Sequence, residues 1–205
     1  MLTPDHIVIA ARTLDEGVDW CEAALGVRPV AGGQHAFMGT HNRVFDVSSP
    51  AFARSYAEII AIDPSLPAPT HARWFDLDDP AMQRELAHAP RLVHWVARVD
   101  DIDAAHAAMV ADGIDCGEVV RAERGALRWR ITVRADGRRM LGGASPALIE
   151  WTGTHPTDAL GPSGVRLDSM SAAGAPLSVV LATSRGLVTL TTPSLKDRPC
   201  SNACP

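Results

Sequence analysis

Apolar residues along the chain fall in two rhythms. Short apolar runs, such as Ile7-Val8-Ile9-Ala10 and Trp95-Val96-Ala97, have the length of buried strands. Other stretches place an apolar residue every third or fourth position. Leu14, Val18, Cys21 and Leu25 do so within 13–25, which gives a helix one packing face. The two rhythms recur in the same order. Asp5-His6-Ile7-Val8-Ile9-Ala10 leads through a capping-type residue into the helical stretch 13–25. Val93-His94-Trp95-Val96-Ala97-Arg98 leads likewise into an alanine-rich stretch at 100–112. Each helix should end at a glycine, Gly26 or Gly113, suited to a left-handed C-terminal cap. The two histidines are 88 positions apart (94 − 6 = 88), an interval that suggests two equivalent units.

The remaining pattern fills in each unit. In the first, strands are expected at 35–38, 42–47 and 54–62, with a turn at Gly32-Gly33. Residues 63–78 hold Pro64, Pro67 and Pro69 and read as a connector. A short helix follows from Asp79-Pro80, a cap and a first-position proline, to about His88. The second unit has strands at 92–99, 116–122, 127–135 and 147–151, the last preceded by Gly142-Gly143. Beyond it a strand at 165–169 is expected, then a hairpin of 177–182 and 187–192 around Ser184-Arg185-Gly186. The fold class is therefore α+β: a βαβββ unit over 1–62, a connector over 63–90, a second unit over 91–152 and a C-terminal extension over 153–205.

Composition narrows the function. The chain has 205 residues, 46% hydrophobic and 21% charged, enough for a substantial core. A net charge of −5 gives no basic face for nucleic acid. No apolar run approaches the roughly 20 residues that cross a membrane. The start, Met1-Leu2-Thr3-Pro4-Asp5, has no secretory pattern, so a cytoplasmic protein is expected. Cys21 and Cys116 read as buried thiols, and Cys200 and Cys204 as incidental thiols in a flexible tail.

The candidate chemistry lies in the strands. Glu58 sits in Ser55-Tyr56-Ala57-Glu58-Ile59-Ile60, and Glu150 in Ala147-Leu148-Ile149-Glu150-Trp151. An acid inside an apolar strand is costly to bury unless something pairs with it or coordinates it. A lone strand histidine is more often structural, but His6 and His94 hold matching places in the two units. Imidazole is a common metal ligand, and two imidazoles with two carboxylates would satisfy one divalent ion.

On these residues the chain resembles the vicinal oxygen chelate superfamily, and within it the glyoxalase-like domain proteins. Segments Gly32-Gly33-Gln34-His35, Gly39-Thr40-His41-Asn42, Trp74-Phe75-Asp76-Leu77-Asp78-Asp79-Pro80 and Leu127-Arg128-Trp129-Arg130-Ile131-Thr132-Val133 share in that resemblance, which covers about residues 3–168. It implies that paired βαβββ modules form a curved mixed sheet around a cavity. It further implies that His6, Glu58, His94 and Glu150 hold the metal: nickel, cobalt, zinc, manganese or ferrous iron. Glu150 or Glu58 would move a proton.

His35, His41, Asn42, Arg128, Arg130 and Trp95 form a second tier of substrate-binding candidates. Arg128 and Arg130 share one strand face and Trp129 the other. That face is either the cavity, where arginines would hold a carboxylate or carbonyl oxygen, or the solvated exterior. Trp74, Trp95 and Trp129 would line an apolar pocket or pack the core. His88, His106 and His155 read as surface residues. Three functions follow as expectations. The first is a metal-dependent enzyme of lyase or isomerase type acting on a small oxygenated metabolite. The second is a metal-free small-molecule or drug-binding protein, and the third a ring-cleaving dioxygenase. The partner is a small molecule, with neither nucleic acid nor membrane, and the protein would be a monomer or homodimer.

Overall fold

Two strands with apolar middles lie side by side at the centre of the molecule, where burial removes those runs from water. They are β1 (Thr3–Ala10) and β5 (Arg91–Arg98), paired antiparallel in the computed structural model, which describes residues 2–172 and 176–194. Ile7 to Ala10 and Leu92 to Ala97 are all buried, as continuous apolar runs in a sheet covered on both faces should be.

Each central strand carries its own set of neighbours. In the first half these are β2 (Val30–His35), β3 (Thr40–Asp46) and β4 (Tyr56–Ile62). In the second they are β6 (Glu118–Arg124), β7 (Leu127–Val133) and β8 (Ala147–Trp151). The eight strands form one curved mixed sheet in the order β2-β3-β4-β1-β5-β8-β7-β6. β1 pairs parallel with β4, and β5 parallel with β8. The two halves thus repeat one topology across the β1–β5 seam.

Two cores lie on the two faces of this sheet. Ile7, Ile9, Ala57, Ile59 and Leu148 pack on the side that carries the long helices. Val8, Ala10, Ile60, Val96, Ile131 and Ile149 face the other side, the hollow of the curve. α1 (Leu14–Leu25) is capped by Thr13, whose Oγ1 accepts from the Glu16 amide, and ends at Gly26 with φ 72°. It packs tightly at Gly17, where a Cβ would come within 2.4 Å of Ile59 Cγ2. α3 (Ile102–Ala111) is capped by Asp101. Cys21 and Cys116 are free, buried thiols, and burial pushes Cys21 up to about 12.

The hollow is partly filled by the chain between β4 and β5. α2 (Pro80–Leu86) starts at its Asp79 cap and presents Met82 and Leu86 inward, beside Trp74, Phe75 and Leu77. Beyond β8, the strands β9 (Arg166–Ser171), β10 (Ser178–Thr183) and β11 (Gly186–Thr191) form a small antiparallel sheet. Its Leu167, Val179 and Leu181 join the helix-side core. This extension matches the strand and hairpin expected from the sequence; Cys200 and Cys204 lie outside the described residues.

One element departs from expectation in a way that matters below. Gly32 and Gly33 belong to strand β2, not to a turn before it. The β2–β3 register slips between Ala31 and Gln34, and the Gly33 amide donates to Asn42 Oδ1 at 2.7 Å. At Gly32 a Cβ would sit 1.9 Å from the same oxygen. The glycines make room for Asn42. Among the described residues, no helix is long and apolar enough to cross a membrane.

Candidate functional site

The first half of the sheet turns four polar side chains into the hollow. His6 on β1, His35 on β2, Asn42 on β3 and Glu58 on β4 are each buried, Glu58 to 5% exposure. Alternation along the strands puts them there, since Glu58 shares a face with Ile60 and opposes Ala57 and Ile59.

Glu58 is the centre of this group. Asn42 Nδ2 donates to its Oε1 at 2.6 Å, and Asn42 is fixed in turn by Gly33. His35 Nε2 lies 3.8 Å from Oε1, and His6 Nε2 lies 3.7 Å from Oε2. Among the described residues no arginine or lysine reaches this carboxylate within salt-bridge distance.

Each imidazole has an assignable tautomer. His35 Nε2 faces two donors, Asn42 Nδ2 and Arg124 Nη1, both at 3.4 Å, so it accepts; Nδ1 then donates to Thr40 Oγ1 at 3.1 Å. Burial, more than the opposing attraction of Glu58, drives its pKa down to about 4. His6 Nδ1 donates to Asp5 Oδ1 at 2.8 Å, which leaves Nε2 toward Glu58. Its ring stacks on Tyr56, centroids 4.5 Å apart.

Asp5 is a residue the sequence did not single out. It is fully buried at a slip in the β1–β5 register, between Pro4 and His6, and a bulge of this kind re-aims a side chain. Its Oδ2 accepts from His155 Nε2 at 2.9 Å, Trp151 Nε1 at 3.1 Å and Arg98 Nη1 at 3.4 Å. Burial alone would raise this carboxyl, but the hydrogen bonds from His155 and His6 overcome it and hold the pKa at about 2. His155, expected at the surface, is 2% exposed. The signal that could have found Asp5 was its place beside His6 in an apolar strand.

Arg124 is the other missed residue. It sits at the end of β6, one edge of the sheet, and meets Gly33 and His35 on β2, the opposite edge. The curve brings its two ends together beside Glu58.

The other expected residues lie elsewhere. Glu150 shares a face with Leu148, on the helix side. Both its oxygens are engaged there: Arg130 Nε and Nη2 donate at 3.2 and 2.8 Å, and the Ile102 amide at the start of α3 donates at 2.8 Å. Arg130 also pairs with Asp103, and Arg128 pairs with Glu123 at the surface. Trp95 packs in the helix-side core and donates to the Ala144 carbonyl. His41 is a neighbour of Asp63, at 3.5 Å. His94 does face the hollow, beside Phe75, but its Nε2 accepts from the Ala147 amide at 3.0 Å.

Register explains the asymmetry. Val8 is level with Glu58 on β4, and its counterpart Val96 (96 − 8 = 88) is level with Ala147 on β8. The residue equivalent to Glu58 is therefore Ala147. Glu150 stands three places further on, which on a strand is the wrong face. The first half of the hollow carries an acid on this strand position and the second does not.

As a metal centre the arrangement is incomplete. Members of the vicinal oxygen chelate superfamily typically bind a divalent metal. His6 has the support a metal-bound imidazole requires, a carboxylate on its other nitrogen, and Glu58 faces it. The third and fourth donors do not follow, because His94 Nε2 and both Glu150 oxygens are occupied. Among the described residues no three His, Cys, Asp or Glu side chains converge as a ligand set.

One solved structure shares the architecture, and others align over parts of the chain. A hypothetical protein from Staphylococcus aureus aligns with a TM-score of 0.56 at 13% identity, over 93% of this chain and 85% of that one. A methylmalonyl-CoA epimerase in complex with methylmalonyl-CoA and NH4+ aligns at 0.46 and 22%, over 76% of this chain and 99% of that one. The epimerase from Mycobacterium tuberculosis gives 0.41 and 18%, over 77% and 91%. No curated protein matches the sequence. The model of the glyoxalase-like domain family matches residues 5–187, and with that match the chain belongs to this family of the vicinal oxygen chelate superfamily.

Proposed function

We propose that the protein is an enzyme of isomerase or lyase type that moves a proton on a small oxygenated molecule, with Glu58 as the base. The observation that carries this reading is a buried carboxylate with no cationic partner among the described residues. A carboxylate held by an amide in a hollow, rather than neutralised by a cation, is placed to take a proton from a bound molecule. Asn42 engages Oε1, and among the described residues Oε2 has no hydrogen bond. Oε2 is the atom that takes the proton.

The step is a proton transfer from a carbon beside a carbonyl. Glu58 Oε2 accepts the proton while the bonding pair moves onto the carbonyl oxygen, giving an enolate. Arg124, the cation next to His35, stabilises that oxygen. Return of the proton to the same carbon or to its neighbour completes an isomerisation. Asp5 fixes the His6 ring beside the base and Asn42 fixes the carboxylate, so both act as positioning residues. No step here passes through a metal, because the four expected donors do not form one set.

A panel of small hydroxy- and oxo-acids incubated with the protein in D2O tests this by NMR. Carbon-bound hydrogen should exchange with the native protein and cease to exchange with Glu58→Gln. Exchange that persists in that variant overturns the role of Glu58.

A second reading, a metal-free binding protein, is favoured by the apolar second half of the hollow, where Trp129, Ile131 and Ile149 lie. Ligand-induced thermal stabilisation that is indifferent to chelator, without isotope exchange, would select it. In either case a cytoplasmic setting and a monomer or homodimer accompany the proposal.

A further inference from the structure

A second cavity of about 40 Å3 lies beyond His94, between residues 72–77, the loop 134–146 and the ends of β5, β7 and β8. Three of its lining groups have buried polar atoms with no hydrogen-bond partner among the described residues: Trp74 Nε1, His94 Nδ1 and Ser145 Oγ. Their residues are 8%, 5% and 6% exposed. An unsatisfied buried polar atom is uncommon, and each one asks for a missing partner. Three in one cavity ask for a shared one.

The chemistry of that partner follows from the donors. Trp74 Nε1 can only donate. His94 Nε2 accepts from the Ala147 amide, so the neutral ring carries its hydrogen on Nδ1, which also donates. Ser145 supplies a hydroxyl. Arg134, Arg138 and Arg139 line the same cavity. Arg139 is committed to Asp76 at 2.7 Å and Arg134 to Asp115 and Asp136, while Arg138 has no ion pair among the described residues. Two fixed donors and a hydroxyl suit an acceptor-only group, and the guanidinium of Arg138 on the cavity wall suits a negative one.

The wall is also held in place at a cost. Phe75 and Asp76 adopt φ of 60° and 61°, a conformation that non-glycine residues rarely take and that binding sites often retain. The buried Asp76–Arg139 pair and the hydrogen bond from the Asp76 amide to the Gly137 carbonyl keep Trp74 and Phe75 against the cavity.

We propose that this cavity is a carboxylate-binding site, with Trp74, His94 and Ser145 as its donors and room for the head of a small organic acid. The assignment stands apart from the role of Glu58.

The test uses sodium acetate against sodium chloride at equal ionic strength, on the full chain. Acetate should raise the Tm of the native protein beyond the chloride control and shift the Trp74 indole N–H resonance. Ser145→Ala and Trp74→Phe should each weaken acetate binding about tenfold, the loss expected for one hydrogen bond to a charged group. Glu58→Gln should bind acetate as the native protein does, which separates this site from the catalytic proposal. An acetate response equal to that of chloride, or undiminished in Ser145→Ala, overturns the proposal and leaves a cavity that holds water only.

Discussion

Ile7 and Trp95 lie directly opposite one another across the β1–β5 pair, and the 88 positions between them (95 − 7 = 88) equal the interval from His6 to His94. A twofold relation between the halves therefore passes through this rung. Applied to the neighbouring strands it pairs Glu58 with Ala147, so the backbone was repeated and the acid was not. The protein has one half-site with an acid against one without.

Replacing Glu58 by Gln should lower turnover at least about 100-fold, in line with loss of a general base. Stability should be unchanged or improved, because Gln keeps the acceptor for Asn42 and removes a buried charge. Steady-state kinetics and urea unfolding of the same preparation check both halves of this statement.

Glu150→Gln should do the reverse. Its carboxylate caps α3 at the Ile102 amide and pairs with Arg130, so the change should cost about 1 kcal/mol of stability. Activity should stay within about twofold, since the group faces the helices. A loss of activity as large as that of Glu58→Gln would restore the symmetric four-residue arrangement.

Asp5 makes an acid-side prediction. Its pKa is held at about 2, below the ordinary 3.8, so the folded state favours the ionised form. The stabilisation is fully present above about pH 4 and is lost as pH falls toward 2. It is on the order of 2 kcal/mol. Denaturant titrations at pH 5 and pH 2.5 should show that loss in the native protein and little of it in Asp5→Asn.

His35 and His94 act in a different window. Their pKa values are lowered to about 4 and about 3, from 6.5, by burial. The unfolded chain then binds more protons than the folded one between pH 6.5 and those values, and stability falls as pH drops through that range. Each contributes about 1.4 kcal/mol per pH unit there. His35→Asn and His94→Gln should each flatten the slope between pH 6 and pH 4.5.

Strand and helix spacing disclosed most of the architecture, because the apolar positions of α1, β1 and β5 answer to one dominant force, burial. β8 was legible to its end residues and the Gly26 cap to its conformation. What stayed hidden depends on register. Whether Glu150 faces the hollow turns on one residue of offset between parallel strands, which no local pattern encodes. Asp5 and His155 were hidden for a related reason: each satisfies the other across 150 positions, and neither has a periodic signature. The two strand glycines read as a turn because their use, the accommodation of Asn42, lies on a neighbouring strand.

That long-range contact also ties the first strand to the chain beyond the large sheet. The imidazole of the sixth residue is oriented by a carboxyl whose second oxygen takes a ring supplied from beyond β8. A chain cut after β8 would own every strand of the large sheet and leave that oxygen to Trp151 and Arg98, without its shortest contact. His155, far from the chemistry in sequence, thus serves as the latch that finishes it.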